Sequence, residues 1–425
     1  MALDVLLSDD SSSLNFPSIR PTLDLHLART KSLDPRITFT RASGGSYIGP
    51  DGLIKYAGVN QPRFDHDPMT GESLGLMIGE QRINIILQSE DFSNNQISNN
   101  VSIKTNQISS PDGSLTADLL TSTLSSVNNT CYVQQLAAIS ESTLNYVASC
   151  FVKMNTCPVV SIQIAFISGT NVEYTASFNF YNKSMSGSSS STYGYQEFPN
   201  GWFRIWIAAP NNGNGTGVTH RIYARNNSTS NVIGDSVFLW GRMIEQGLFP
   251  TSYIPTVTSQ RTRAADNVSM TGVNFSSWYN QNEGTVYSKS TVTSYNTIIG
   301  ASNSAVWSIL TSGAANQITL SLTPGGGDTP NYRCSIVANG ISQFASNLTT
   351  TPSQYISTNS TALTYSINDI AATINGKLNN TSNKATLPTP NTLIFTNVKN
   401  HSLILSRFTY YPKRLPNSQL QVLTG

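Results

Sequence analysis

The segment RFDHDPMTGES, residues 63–73, crowds two aspartates, a histidine and a glutamate into a chain with four histidines in total. Such residues could ligate a metal or run acid–base chemistry if their side chains converged. Their spacing argues against convergence. In an extended strand side chains alternate, so Asp65 and Asp67 project to one face and His66 to the other. A calcium loop wants oxygen ligands at its first, third and fifth positions and glycine at its sixth, but from Asp65 the fifth residue is Met69 and Gly71 comes seventh. Zinc wants three or four ligands, and only one histidine is local. Asp67-Pro68-Met69-Thr70-Gly71 is instead turn chemistry: an aspartate that accepts from the backbone ahead, a proline with preset φ, and a glycine free to take positive φ. The segment is expected to be a hairpin turn.

Other catalytic patterns are also missing. No G-x-S-x-G elbow occurs, and His26, His66, His220 and His401 have no serine or cysteine signature beside them. Two carboxylates of a glycosidase could hide among the 23 acidic residues, since their spacing is spatial rather than sequential. Long β-helical depolymerases carry short repeats, and no internal period is visible here. No enzyme activity, catalytic residue, metal or cofactor is therefore expected. Asp328, beside three glycines, is the one carboxylate placed to help hold a calcium ion in the last third, and one carboxylate makes no site. Cys131, Cys150, Cys157 and Cys334 lack CxxC spacing and read as free, buried thiols.

Composition narrows the partners. Charged residues are 11% of the 425, hydrophobic residues 38%, and the formal net charge is +2, which gives no basic field for nucleic acid. The start, MALDVLLSDDSSS, is acidic where a secretory signal is positive, and no run approaches eighteen apolar residues. Synthesis in the cytoplasm, without membrane insertion, is the expectation.

The elements read as all-β. Residues 1–25 form an N-terminal arm without periodicity, and 26–88 a hairpin-rich collar with short β-type runs on either side of GPDG. Over 89–262 strict alternation sets in. Val160, Ile162, Ile164 and Phe166 share one face, as do Tyr174, Ala176, Phe178 and Phe180, which predicts an antiparallel jelly-roll sandwich. Residues 263–425 repeat the style as a second sandwich, with Asn375-Gly376 suited to a tight hairpin and RLPNSQLQVLTG as the one helical turn.

The stretch LDPRITFTRASGGSYIGPDGLIKYAGVNQPRFDHDPMTGESLGLMIGEQRINIILQSEDFSN resembles the N-terminal signature of phage virion appendage proteins, tail-fibre-like or head-fibre-like. The stretch from SPDGSLTADLL through LWGRMIEQGLFPTSYIPT is similar to a carbohydrate-binding-module-like jelly roll, and that from EGTVYSKSTV to the C-terminus to a concanavalin-like or laminin-G-like sandwich. The resemblance implies a virion component, often trimeric, anchored to other tail, baseplate or capsid proteins and displaying lectin-like modules for host-surface polysaccharide. It carries over no catalytic residues. Two other roles are compatible: a non-adhesive decoration, head-fibre or baseplate component, and a polysaccharide-degrading tailspike.

Sugar recognition asks for aromatic faces beside amide, hydroxyl or carboxylate groups. Trp202, Arg204 and Trp206 share one face of a strand, and Trp202 and Trp240 read as core. The candidates for glycan contact are loop aromatics: Tyr193 and Tyr195 in SSTYGYQEF, Trp278 and Tyr279 in NFSSWYNQNEG, and Tyr332 in GGDTPNYR.

Overall fold

A computed structural model describes residues 17–94, 97–125, 130–140, 144–167, 171–211, 213, 215–225, 227, 230–295, 304–324, 330–348, 357–395 and 401–425. Residues 1–16 of the expected arm and Asp328 lie outside the described residues. The chain is all-β, built from two antiparallel sandwiches.

The first sandwich stacks two six-stranded sheets. One runs Thr192–Phe198, Trp202–Pro210, Asn145–Met154, Ser236–Gln246, Ala117–Ser122, Val101–Ile108 in spatial order. The facing sheet runs Ser184–Gly187, Val172–Asn179, Val159–Ile167, Gly217–Arg225, Tyr132–Ala138, Ile97–Asn99. Alternation does what it predicts: Val160, Ile162, Ile164, Phe166, Tyr174, Ala176, Phe178 and Phe180 all enter the core between the sheets, because successive side chains of a strand point to opposite faces. Cys150 and Cys157 fill the same core as small apolar groups, and all four cysteines are buried and unbridged.

In the second sandwich one sheet holds Lys377–Ser382, Asp369–Ile374, Ser357–Ser366, Glu283–Tyr295, His401–Tyr411, Ser73–Ile78 and Arg63–His66, in that order. Its partner runs Thr38–Thr40, Asn267–Thr271, Thr392–Phe395, Ser304–Leu310, Gln317–Pro324, Pro330–Ala338, Ile341–Leu348. The Asn375-Gly376 turn has φ of 47° and 73°, the two positive values of a type I′ hairpin. The last helix, Asn417–Thr424, starts after Pro416 as the sequence indicates.

Within residues 26–88, Gly45–Ile48 and Ile54–Ala57 form a two-stranded hairpin sheet of their own, and other strands pair with distant segments. Ser73–Ile78 pairs with His401–Tyr411, Thr38–Thr40 with Asn267–Thr271, and Arg82–Asn84 with Arg261–Arg263. Even the end of the expected arm is a strand: Leu23–Leu25 lies on Tyr410–Phe408, with Leu23 and Leu25 in the second core. The reason is general. Isolated two-stranded hairpins are marginal in water, and an uncovered sheet edge leaves a row of backbone groups unpaired. For Thr38–Thr40, Arg63–His66 and Ser73–Ile78, joining the sheets of the second sandwich satisfies both.

A seam of buried charge joins the N-terminal hairpins to both sandwiches. Asp266 accepts from Arg41 Nη1 at 3.0 Å and Arg63 Nη2 at 2.5 Å, with all three side chains fully buried, and from the Gly79 N–H at 2.8 Å. Arg263 reaches Thr251, Ser252 and the Glu80 carbonyl, and Arg204 reaches the Thr251 carbonyl at 2.6 Å. Asp266 is balanced by the two guanidiniums it pairs with, while Arg204 and Arg263 are held by hydrogen bonds to hydroxyl and carbonyl oxygens.

Candidate functional site

The segment that crowds polar groups is a hairpin turn. Arg63–His66 and Ser73–Ile78 are its strands, and Asp67 Oδ1 accepts from the N–H groups of Met69 and Thr70 at 2.9 and 2.8 Å. Gly71 closes the turn at φ 71°, with its N–H on the Asp67 carbonyl. Strict alternation fails at one point. The register shifts between Asp65 and His66, and both side chains reach the same residue: the Ile48 N–H donates to Asp65 Oδ1 at 2.6 Å and His66 Nδ1 donates to the Ile48 carbonyl at 2.9 Å. No cluster of three or more metal-ligating side chains occurs among the described residues. Burial lifts the Asp65 carboxyl to about 6, opposed by the Ile48 N–H and the Arg63 charge.

The five expected sugar-contacting aromatics do not form one site, and most are not in loops. Trp278 is 2% exposed at the end of the short helix Val273–Ser276, its ring 4.9 Å from both Phe275 and Tyr410. Tyr279 packs partly buried against the same core. Tyr332 is 2% exposed inside the strand Pro330–Ala338. Rings enclosed this way have no face left for a ligand, so Trp278 and Tyr332 are core residues. Tyr193 and Tyr195 sit in the edge strand Thr192–Phe198, where Tyr193 packs on the first core and the Tyr195 ring lies 4.9 Å from that of Phe178. Tyr195 remains 40% exposed. Trp202 and Trp240 are buried, as their sequence context indicates.

A more open arrangement lies elsewhere, in a cleft of ≈ 690 Å³ between the Gly45–Ile48/Ile54–Ala57 hairpin, the turn at Asp112 and the strand Arg261–Arg263. Tyr56, 48% exposed as a residue, contributes its ring, with Glu90, Asp112 and Arg261 around the same cleft. Each group is held by its own local structure. Tyr56 is carried by a hairpin strand, and its hydroxyl donates to Asp112 Oδ2 at 3.3 Å. The other Asp112 oxygen accepts from Ser110 Oγ at 2.7 Å and the Ser114 N–H at 2.9 Å, which fixes the carboxylate inside the SPDGS turn. Glu90 Oε1 accepts from Tyr253 Oη at 2.9 Å. Tyr253 has one proton, spent on Glu90, so Ser89 Oγ, 2.7 Å away, donates to the phenol while accepting from the Thr256 N–H at 2.9 Å. Burial raises the Glu90 pKa; the Tyr253 hydroxyl opposes this and the Asp112 charge adds to it.

Neither carboxylate has an ion-pair partner among the described residues. The cleft thus offers a partly exposed aromatic face, two oriented carboxylates and a guanidinium. These are groups that can stack on the C–H face of a sugar ring and fix its hydroxyls. Sequence reading missed all four because Tyr56, Glu90, Asp112 and Arg261 are far apart along the chain. The only local signal was the SPDGS turn.

Ser304 Oγ and His401 Nδ1 are 2.6 Å apart, but both are buried, and burial alone takes the imidazole down to about 4. That pair is internal packing. Among the described residues no helix is long and apolar enough to cross a membrane.

No family model matches the chain. No curated protein matches it either. Among solved structures it is similar to the CBM40 of the Ruminococcus gnavus IT-sialidase (TM-score 0.28, 15% identity, covering 34% of this chain and 84% of that one). It is also similar to the binding domain of Botulinum neurotoxin serotype D (0.27, 13%, 37% and 39%) and to a Trypanosoma rangeli sialidase (0.27, 10%, 61% and 60%). At these scores none of them decides the topology, ligand or activity of this chain.

Proposed function

We propose that the chain is a structural component of a phage virion, a tail fibre or similar appendage, that adsorbs to host-surface glycan without cleaving it. The observation that carries the glycan reading is the open cleft in which the ring of half-exposed Tyr56 stands beside Glu90, Asp112 and Arg261. The particle reading rests on the resemblance of residues 33–94 to phage appendage proteins and on the low-charge surface of a two-sandwich chain. In this reading the chain assembles as a homo-oligomer, with a trimer favoured, on tail, baseplate or capsid proteins. Weak single-site sugar contacts then become useful adhesion through avidity.

The test is binding of the purified oligomer to host cells, with soluble host polysaccharide as competitor, for wild type and Tyr56→Ala. Saturable binding that the polysaccharide displaces, and that Tyr56→Ala weakens by about tenfold (a stacked sugar is worth roughly 1–1.5 kcal/mol), supports the reading. Absence of binding at micromolar concentration overturns it. Release of reducing ends would replace adsorption by depolymerisation.

A further inference from the structure

The polar segment at 63–73 also borders a second, more enclosed cleft of ≈ 360 Å³, on the far side of the Ser46, Tyr253 and Arg263 side chains that the two clefts share. Its walls come from both sandwiches: Gln196 and Trp206 from the first, and Thr291, Thr293, Asp65 and His66 from the second. The volume falls in the range of small-ligand pockets, about 300–1,000 Å³.

Hydrogen-bond accounting defines what would suit it. His66 is 4% exposed, and its Nδ1–H is committed to the Ile48 carbonyl, so in the neutral ring Nε2 is an acceptor; it has no partner. The Asp65 carboxylate is 5% exposed and has no ion-pair partner among the described residues. Arg63, Arg204 and Arg263 also line the cleft. Their terminal nitrogens are engaged with Ser46, Asp266, Thr251, Ser252 and Ser149, while their Nε–H donors have no partner. The cleft therefore has an unpaired acceptor, His66 Nε2, and unpaired donors together. An anion would answer the donors but face the Asp65 carboxylate and leave His66 Nε2 unpaired. A cation would face three guanidiniums. A hydroxyl both donates and accepts, and carries no charge to be repelled.

We propose that this interior cleft is a binding site for a small neutral polyhydroxylated ligand, a single sugar ring or a cyclic polyol, held by His66 and Asp65 and bridging the two sandwiches. The site is separate from the Tyr56 cleft. A ligand seated here binds only the folded, docked arrangement and so raises the unfolding temperature.

The probes are myo-inositol and methyl α-glucoside, with acetate and methylammonium as charged controls, on the full chain. The neutral probes are expected to give a saturable rise in unfolding temperature, about 3 °C at a hundred times Kd, and to move the His66 Nε2 resonance of ¹⁵N-histidine-labelled protein. Thr293→Phe, a rim substitution that plugs the cleft, abolishes both responses, whereas Tyr56→Ala leaves them intact. Three outcomes overturn the proposal: no saturable response to the neutral probes, an unchanged response in Thr293→Phe, or saturation by acetate or methylammonium alone. Loss of the response in Tyr56→Ala would assign the polyol to the open cleft and overturn it as well. Because the histidine resonance is read on wild type, the result does not depend on any variant folding.

Discussion

Tyr253 Oη donates to Glu90 Oε1 across 2.9 Å, from a phenol that is 2% exposed to a carboxylate that faces the open cleft. The bond ends a chain from the Thr256 backbone through Ser89, so these hydrogen bonds fix the direction of a cleft-facing group. Tyr253→Phe keeps the ring and removes the last donor. Glycan affinity is expected to fall about fivefold, in line with roughly 1 kcal/mol for one hydrogen bond. Titration calorimetry against the competing polysaccharide checks it, and unchanged affinity would show that Glu90 does not need the phenol.

Asp266 is the single carboxylate shared by Arg41 and Arg63, with no solvent contact for any of the three side chains. Asp266→Asn keeps the shape and leaves two buried guanidiniums without their counter-charge. The expected destabilisation is about 3–5 kcal/mol, read by denaturant unfolding. A loss under 1 kcal/mol would mean that water reaches the seam.

The pH dependence of Asp65 has a definite sign. Its carboxyl is raised to about 6 in the folded chain from 3.8, so the native state holds the proton more tightly than the unfolded state does. The Asp65 contribution is fully favourable below about pH 4 and is lost as pH rises through 6. Asp65→Asn should therefore stabilise the protein by roughly 3 kcal/mol at pH 8 and by close to nothing at pH 4. Comparing variant and wild type at each pH cancels His220 and His401. Burial takes these to about 3 and about 4, so they act the opposite way, costing stability as pH falls below 6.5. A pH-independent difference between the two proteins would contradict the buried carboxyl.

Gly71→Ala tests the turn. The residue sits at φ 71°, and a Cβ there would lie 2.6 Å from the Pro50 carbonyl oxygen. Backbone strain and the clash together should cost more than about 1 kcal/mol, seen as a lower unfolding temperature. The same substitution at Gly234, where φ is 92° and nothing lies within 4 Å, carries the strain without the clash and should cost less.

Local sequence was enough for whatever depends on a residue and its near neighbours. Alternation at 160–166 and 174–180 placed those side chains in a sandwich core, DPMTG made a hairpin turn, and Asn375-Gly376 made a tight one, since pleat and turn geometry act over a few residues. What neighbours cannot specify was decided by tertiary pairing. Part of the collar, Arg63–His66 and Ser73–Ile78, joined a sandwich sheet because a sheet edge recruits segments hundreds of residues away, as Leu405 pairs with Leu76. Trp278 and Tyr332 entered a core that no local pattern reveals, and a register shift turned both Asp65 and His66 onto Ile48 against the alternation rule. The open cleft exists only because Tyr56, Glu90, Asp112 and Arg261 meet in space. Sequence separation hides such a meeting, and the folded chain creates it.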